Sequence, residues 1–262
     1  MKPGELHRRD PLLFWAGLLG FVGLVVTPLL ASLDARTLLG VSVWLKPAKF
    51  AFSIGLYLWT LAWLRPLLPA KPLRWARPVV VVTMAIELIC IFGQAARGVG
   101  SHFNDSAPFD ASVFAVMGVA IGLNSIALGA LAIVAWRVPP GPAPALMWSL
   151  RLGLMIVVLA SFEGAVMIGI GSHSIGVPDG GPGLPFANWS TRGGDLRVAH
   201  FLGLHALQGL PLLGHLLDRW AGTDTDRQVR AVRVVQGLAF VWLAVSVLLL
   251  TLALLGRPLV RI

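Results

Sequence analysis

The chain has little charge, one cysteine and one tyrosine. Only 13% of its 262 residues are charged, about half the share found in soluble domains. That deficit excludes a disordered chain. It also excludes an ordinary water-soluble globule, because 56% of the residues are hydrophobic. Cys90 stands alone, so an intrachain disulfide, a CxxC redox pair and a cysteine-rich zinc site are all excluded. Acidic residues are scarcer than basic ones, 12 against 21, giving a net charge of +9. No phosphate-binding loop, dinucleotide fingerprint or Ser-His-Asp pattern is present.

What is present is a series of long apolar runs. Mean hydropathy is +0.80, and a bilayer core needs about 20 apolar residues in helical form. Seven runs qualify, at about 11–32, 47–64, 78–97, 111–136, 152–171, 198–217 and 234–256. The expected fold is therefore all-α, a single seven-span transmembrane domain over residues 1–262. The basic residues set its direction. With the N-terminus inside, 13 of the 21 fall on inner segments, which favours a cytoplasmic N-terminus and an extracytoplasmic C-terminus. The positive excess is then a topology signal, and nucleic acid is dropped as a partner. The Ala/Leu/Arg/Gly-rich composition suggests a bacterial inner membrane. Residues 34–43 read as a short interfacial helix. Asp110 and Asp195 read as helix caps.

Gly98-Val-Gly-Ser-His102 and Gly169-Ile-Gly-Ser-His173 differ at one position, and both close spans running outward. Two explanations stand: a parallel duplication of helix pairs, or ordinary glycine C-capping.

Four histidines fall on the outer side: His102, His173, His200 and His205. Imidazoles from separate helices are what iron, copper or zinc takes, and haem b takes two of them. These four are the expected ligands of a transition metal ion or haem b. Glu163 and His205 each lie eight residues below the outer end of a span, about 12 Å deep at 1.5 Å per residue. They are the expected catalytic pair. Ionisable groups inside a membrane are functional candidates, which adds Lys49 and Glu87. Asn104, Asp179 and Trp189 complete the polar site, Asp179 in a Gly-rich turn and Trp189 as a cover. His200 and His205 are five apart, about 140° round a helix face, so they share an ion only where the helix begins between them. Gln208, three residues after His205, is placed to orient its ring, and Pro211 to kink the span.

Three functions remain open. One is metal or haem chemistry at the outer face, redox or hydrolytic, on a lipid, quinone or small molecule. A second is a proton-coupled solute transporter using Glu163, Glu87 and His205. A third is a non-catalytic accessory or receptor-like membrane protein.

Overall fold

The computed structural model describes residues 3–261, and among them the secondary structure is helical apart from two short strand pairs. Among the described residues, six helices are long and apolar enough to cross a membrane. They are α2 (Pro11–Leu33), α3 (Leu45–Leu64), α4 (Ala70–Arg97), α5 (Pro108–Arg137), α6 (Pro144–Ile170) and α9 (Thr225–Leu254). The chain is an integral membrane protein. The run expected at 198–217 takes a different form: it is divided at His205 into α7 (Leu196–Leu204) and α8 (Ala206–Ala221).

The division follows from the hydrogen bonds on either side of it. In a continuous helix the Leu202 carbonyl would accept from the Ala206 N–H. Instead the Trp242 indole N–H of α9 donates to it at 2.9 Å. The N–H of Gln208 turns back to the His205 carbonyl, 3.1 Å away and only three residues upstream. Pro211, inside α8, has no N–H to offer the Leu207 carbonyl. The ladder is thus weakened on both sides of His205.

The chain forms two compact units. The first comprises Met1–Pro66, Leu73–Ala127 and Asp179–Asn188. It holds the amino-terminal helix α1 (Pro3–Arg9), α2, α3, most of α4 and the first two-thirds of α5. Asp10, fully buried, caps α2 by accepting from the Leu13 N–H and pairs with Arg77 at 2.8 Å. Residues 34–43, expected as an interfacial helix, instead make an antiparallel hairpin of β1 (Thr37–Leu38) and β2 (Val41–Ser42). The turn residues Leu39 and Gly40 have φ of +53° and +79°, the doubly positive pattern of a type I′ hairpin. Asp34 anchors the base. It accepts from the Arg36 backbone and guanidinium and from the Trp44 indole at 2.9 Å. Asp110 does not cap α5 as expected. It lies in the helix's first turn and is held by Gln94 and Arg97 of α4.

The second unit comprises Leu67–Pro72, Leu128–Pro178 and Trp189–Ile262. It holds the end of α5 with α6, α7, α8 and α9, and the pair β3 (Ser174–Ile175) and β4 (Gly194–Asp195). Asp195 caps α7 as expected, accepting from the Arg197 N–H. The start of α6 has no cap of its own; the Asp218 carboxylate of α8 accepts from the Ala145 and Leu146 N–H groups at 3.0 and 2.7 Å. At the same end Arg151 is 6% exposed. It donates to the Ala135 and Val138 carbonyls at the close of α5 and lies 5.5 and 5.1 Å from the rings of Trp136 and Trp148. It thereby satisfies helix-end carbonyls that have no partner in their own helix.

Each Gly-x-Gly-Ser-His segment closes a helix with one of its glycines, at non-equivalent positions. Gly98, the first glycine of its segment, and Gly171, the second of the other, take φ of +76° and +73°, and Gly171 returns its N–H to the Met167 carbonyl. Ordinary capping accounts for these two glycines.

Candidate functional site

The second unit gathers Glu163, His200, His205 and Gln208 on α6, α7 and α8. The approach of α7 to α6 is set by small residues. A Cβ placed on Gly203 would meet the Ala160 Cβ at 2.5 Å, so glycine is required there. This contact brings His200 onto the α6 backbone, its Nδ1 2.9 Å from the Ala160 carbonyl. Its Cε1 would lie 3.6 Å from a Cβ on Gly164, the residue after Glu163.

A carbonyl oxygen only accepts, so Nδ1 of His200 carries the hydrogen. In the neutral ring Nε2 then keeps its lone pair. His205 repeats the arrangement one turn on: its Nδ1 is 2.8 Å from the Phe201 carbonyl, and its Nε2 is likewise an acceptor. The expectation that Gln208 orients this ring is corrected, because the Phe201 carbonyl does so. The Phe201 ring also lies 4.0 Å from the His205 ring, tilted by 31°, and meets Trp189 edge-on at 5.6 Å. Trp189 thus belongs to an aromatic ladder that ends on His205.

Two further atoms complete the arrangement. Oε2 of Glu163 and Oε1 of Gln208 are buried and have no hydrogen-bond partner among the described residues. Buried polar atoms are nearly always bonded. The two unbonded oxygens and the two imidazole lone pairs, carried by α6, α7 and α8, are all acceptors. Such a set is satisfied by a proton, a cation or a donor-rich solute.

The first unit holds a separate polar group. Lys46 Nζ lies 2.9 Å from His102 Nδ1, with Ser101 Oγ 3.1 Å from the same atom. The His102 ring is ringed by Phe50, Phe103 and Phe114 at 5.9 to 6.1 Å. Glu87 is 4% exposed. The hydroxyl of Tyr57 donates to Asn124 at 3.1 Å. Lys49 donates to the Ala187 carbonyl at 2.9 Å. Asn104 donates to the Gly100 carbonyl and accepts from Ser106, which makes it a brace of the 98–107 loop. Asp179 sits in a turn with Gly180.

The four histidines expected as ligands are divided between the units, His102 in the first and His173, His200 and His205 in the second. Nδ1 of His173 lies 3.2 Å from the Ser174 hydroxyl, and its carbonyl accepts from Leu196. Among the described residues no group of three or more His, Cys, Asp or Glu side chains is placed to hold a metal ion. Sequence reasoning missed Lys46 as the partner of His102. The signal was present, since Lys46 precedes Pro47 at the head of a span. The Ala160 and Phe201 carbonyls carried no such signal. No family model, curated protein or solved structure matches the chain.

Proposed function

We propose that the protein is a proton-coupled carrier of a small, donor-rich solute, with Glu163, His200, His205 and Gln208 as its binding site. The observation that carries this reading is the buried, unbonded Oε2 of Glu163. An ionised carboxylate inside a membrane costs several kcal/mol without a partner. Glu163 therefore alternates between a proton and a positively charged or N–H-rich solute. The break at His205 supports the same reading, because carriers commonly build their sites at interrupted helices. We read α7 and α8 together as one interrupted span. That gives seven crossings, with the N-terminus cytoplasmic and the site nearer the extracytoplasmic face of a bacterial inner membrane.

The test uses guanidinium, a permanently charged probe with N–H donors only. In proteoliposomes with a pH-sensitive dye inside, a guanidinium gradient drives protons the opposite way. Glu163→Gln abolishes that flux. Guanidinium-driven proton movement equal in Glu163→Gln and in the unaltered protein refutes the carrier.

A second reading, metal or haem binding for outer-face chemistry, is favoured by one feature. His200 and His205 each give Nδ1–H to a backbone carbonyl, the support that metal-ligating imidazoles commonly have. Metal content and a visible spectrum of the purified protein decide it: stoichiometric metal or a Soret band supports it, and their absence overturns it.

A further inference from the structure

Helix α9 is longer than a bilayer requires. Its 30 residues extend about 45 Å at 1.5 Å per residue, against a hydrocarbon core of about 30 Å. The charges mark the end that stands outside the core. Asp226, Arg227, Arg230 and Arg233 all lie near its start, and no residue from Val234 to Leu254 is ionisable. Arg233 is therefore at the boundary, the depth at which lipid phosphates meet the acyl chains.

At that depth α9 forms one wall of an open groove of about 370 Å³ against the start of α6. Small-molecule sites span about 300–1,000 Å³. Gln228, Arg233 and Gln236 supply the polar side of the groove, and Val229, Val232 and Pro144 the apolar side. The residues from α9 recur at helical spacing, so one face presents them together. The other wall is anchored, because Asp218 holds the Ala145 and Leu146 N–H groups beside Pro144.

The groove is rich in donors and has no carboxylate in its lining. Asp224 caps α9 and pairs with Arg227. Both oxygens of Asp218 are taken by α6. Asp226, about two turns before Arg233, does not line the groove. Gln228 gives one amide hydrogen to the Gly222 carbonyl at 2.8 Å and keeps the other. Arg233 and Gln236 have no hydrogen bond or ion pair among the described residues. A guanidinium fork matches the oxygens of a phosphate, and basic pockets between membrane helices take lipid headgroups.

We propose that this groove seats the phosphodiester of an anionic membrane lipid. The phosphate faces Arg233, Gln228 and Gln236, and the glycerol and first acyl carbons cover Val229, Val232 and Pro144. The charge pattern selects the lipid. A choline or ethanolamine headgroup brings an ammonium for which the lining has no carboxylate, and Arg230 nearby repels it. A free phosphate leaves the apolar side uncovered. The groove shares no residue with the Glu163 site, so either stands without the other.

Native mass spectrometry of the full-length protein tests this, with dioleoyl phosphatidylglycerol and dioleoyl phosphatidylcholine titrated separately into the detergent. One phosphatidylglycerol is retained at concentrations where phosphatidylcholine is not. Arg233→Gln weakens that binding roughly tenfold, with thermal unfolding of the lipid-free protein unchanged because Arg233 bonds to nothing in it. Val229→Phe alters no charge but fills the groove, and weakens binding by a similar factor. Arg230→Gln removes the same charge from outside the groove and leaves the affinity as it was. Equal retention of the two lipids overturns the proposal. So does a loss in Arg230→Gln as large as in Arg233→Gln, which marks diffuse attraction, or unchanged binding in Val229→Phe. Displacement of the lipid by an equal concentration of inorganic phosphate marks a free-anion site and overturns the lipid assignment.

Discussion

Exchanging the two residues where α7 touches α6 probes how the candidate site is held. Gly203→Ala drives a methyl against the Ala160 Cβ, 2.5 Å from where the new atom would sit. Overpacking of this kind costs about 1–3 kcal/mol, partly offset by about 1 kcal/mol gained on replacing a helical glycine. The single variant therefore loses up to about 2 kcal/mol, roughly a 30-fold shift in the folded-to-unfolded ratio. Ala160→Gly alone forfeits about 1 kcal/mol of helix propensity and about 0.8 kcal/mol of methyl burial. In the double variant one helix regains what the other gives up, and the methyl fits from the opposite side. The double-mutant cycle then shows about 1–3 kcal/mol of favourable coupling. Equilibrium unfolding in mixed micelles, followed by tryptophan fluorescence, supplies the four free energies. Additivity within about 0.5 kcal/mol refutes the contact and, with it, the placement of His200 on the Ala160 carbonyl.

Two other expectations follow from bonds already described. Arg151→Lys leaves one of the Ala135 and Val138 carbonyls unsatisfied and loses the guanidinium's contacts with the Trp136 and Trp148 rings; it destabilises by about 2–4 kcal/mol, and a loss below about 0.5 kcal/mol in the same unfolding assay contradicts that role. The Arg36 guanidinium bonded to Asp34 holds its carboxyl well below the usual carboxylate range. A folded-state pKa below the unfolded one stabilises above about pH 4 and loses that contribution as pH falls further. Acid unfolding of Asp34→Asn should therefore depend less steeply on pH below about 4 than that of the unaltered protein, and identical acid profiles refute the linkage.

The apolar runs were legible because each long helix is bounded by charge, proline or glycine, and uninterrupted hydrophobicity is what a bilayer selects. Asp195 was legible as a cap for the same local reason. The break at His205 was not. Its cause is a tryptophan on α9, 40 residues away, that takes the Leu202 carbonyl; Pro211 pointed to a distortion but not to its place. The hairpin at 37–42 was hidden because one of its two turn positions is Leu39, whose positive φ is unusual for a branched side chain. Asp110 satisfied the pattern of a cap, yet the partners that claim it come from α4. Of the candidate site, Glu163, His200 and His205 were visible as polar residues in apolar runs. That Nδ1 of each histidine is committed to a carbonyl depends on helix packing, which spacing along the chain does not encode.

The two ends that flank the turn between α5 and α6 are held from outside it. Arg151 closes the last carbonyls of α5, and Asp218 caps the first N–H groups of α6. The intervening residues 139–143 therefore contribute no cap to either helix. A Cβ on Gly141 would meet nothing within 4 Å, although its φ of +64° favours glycine. This turn is the natural place to lengthen the chain: a tag or reporter domain inserted after Gly141 adds a surface loop and leaves both helix ends, and Glu163 farther along α6, in register.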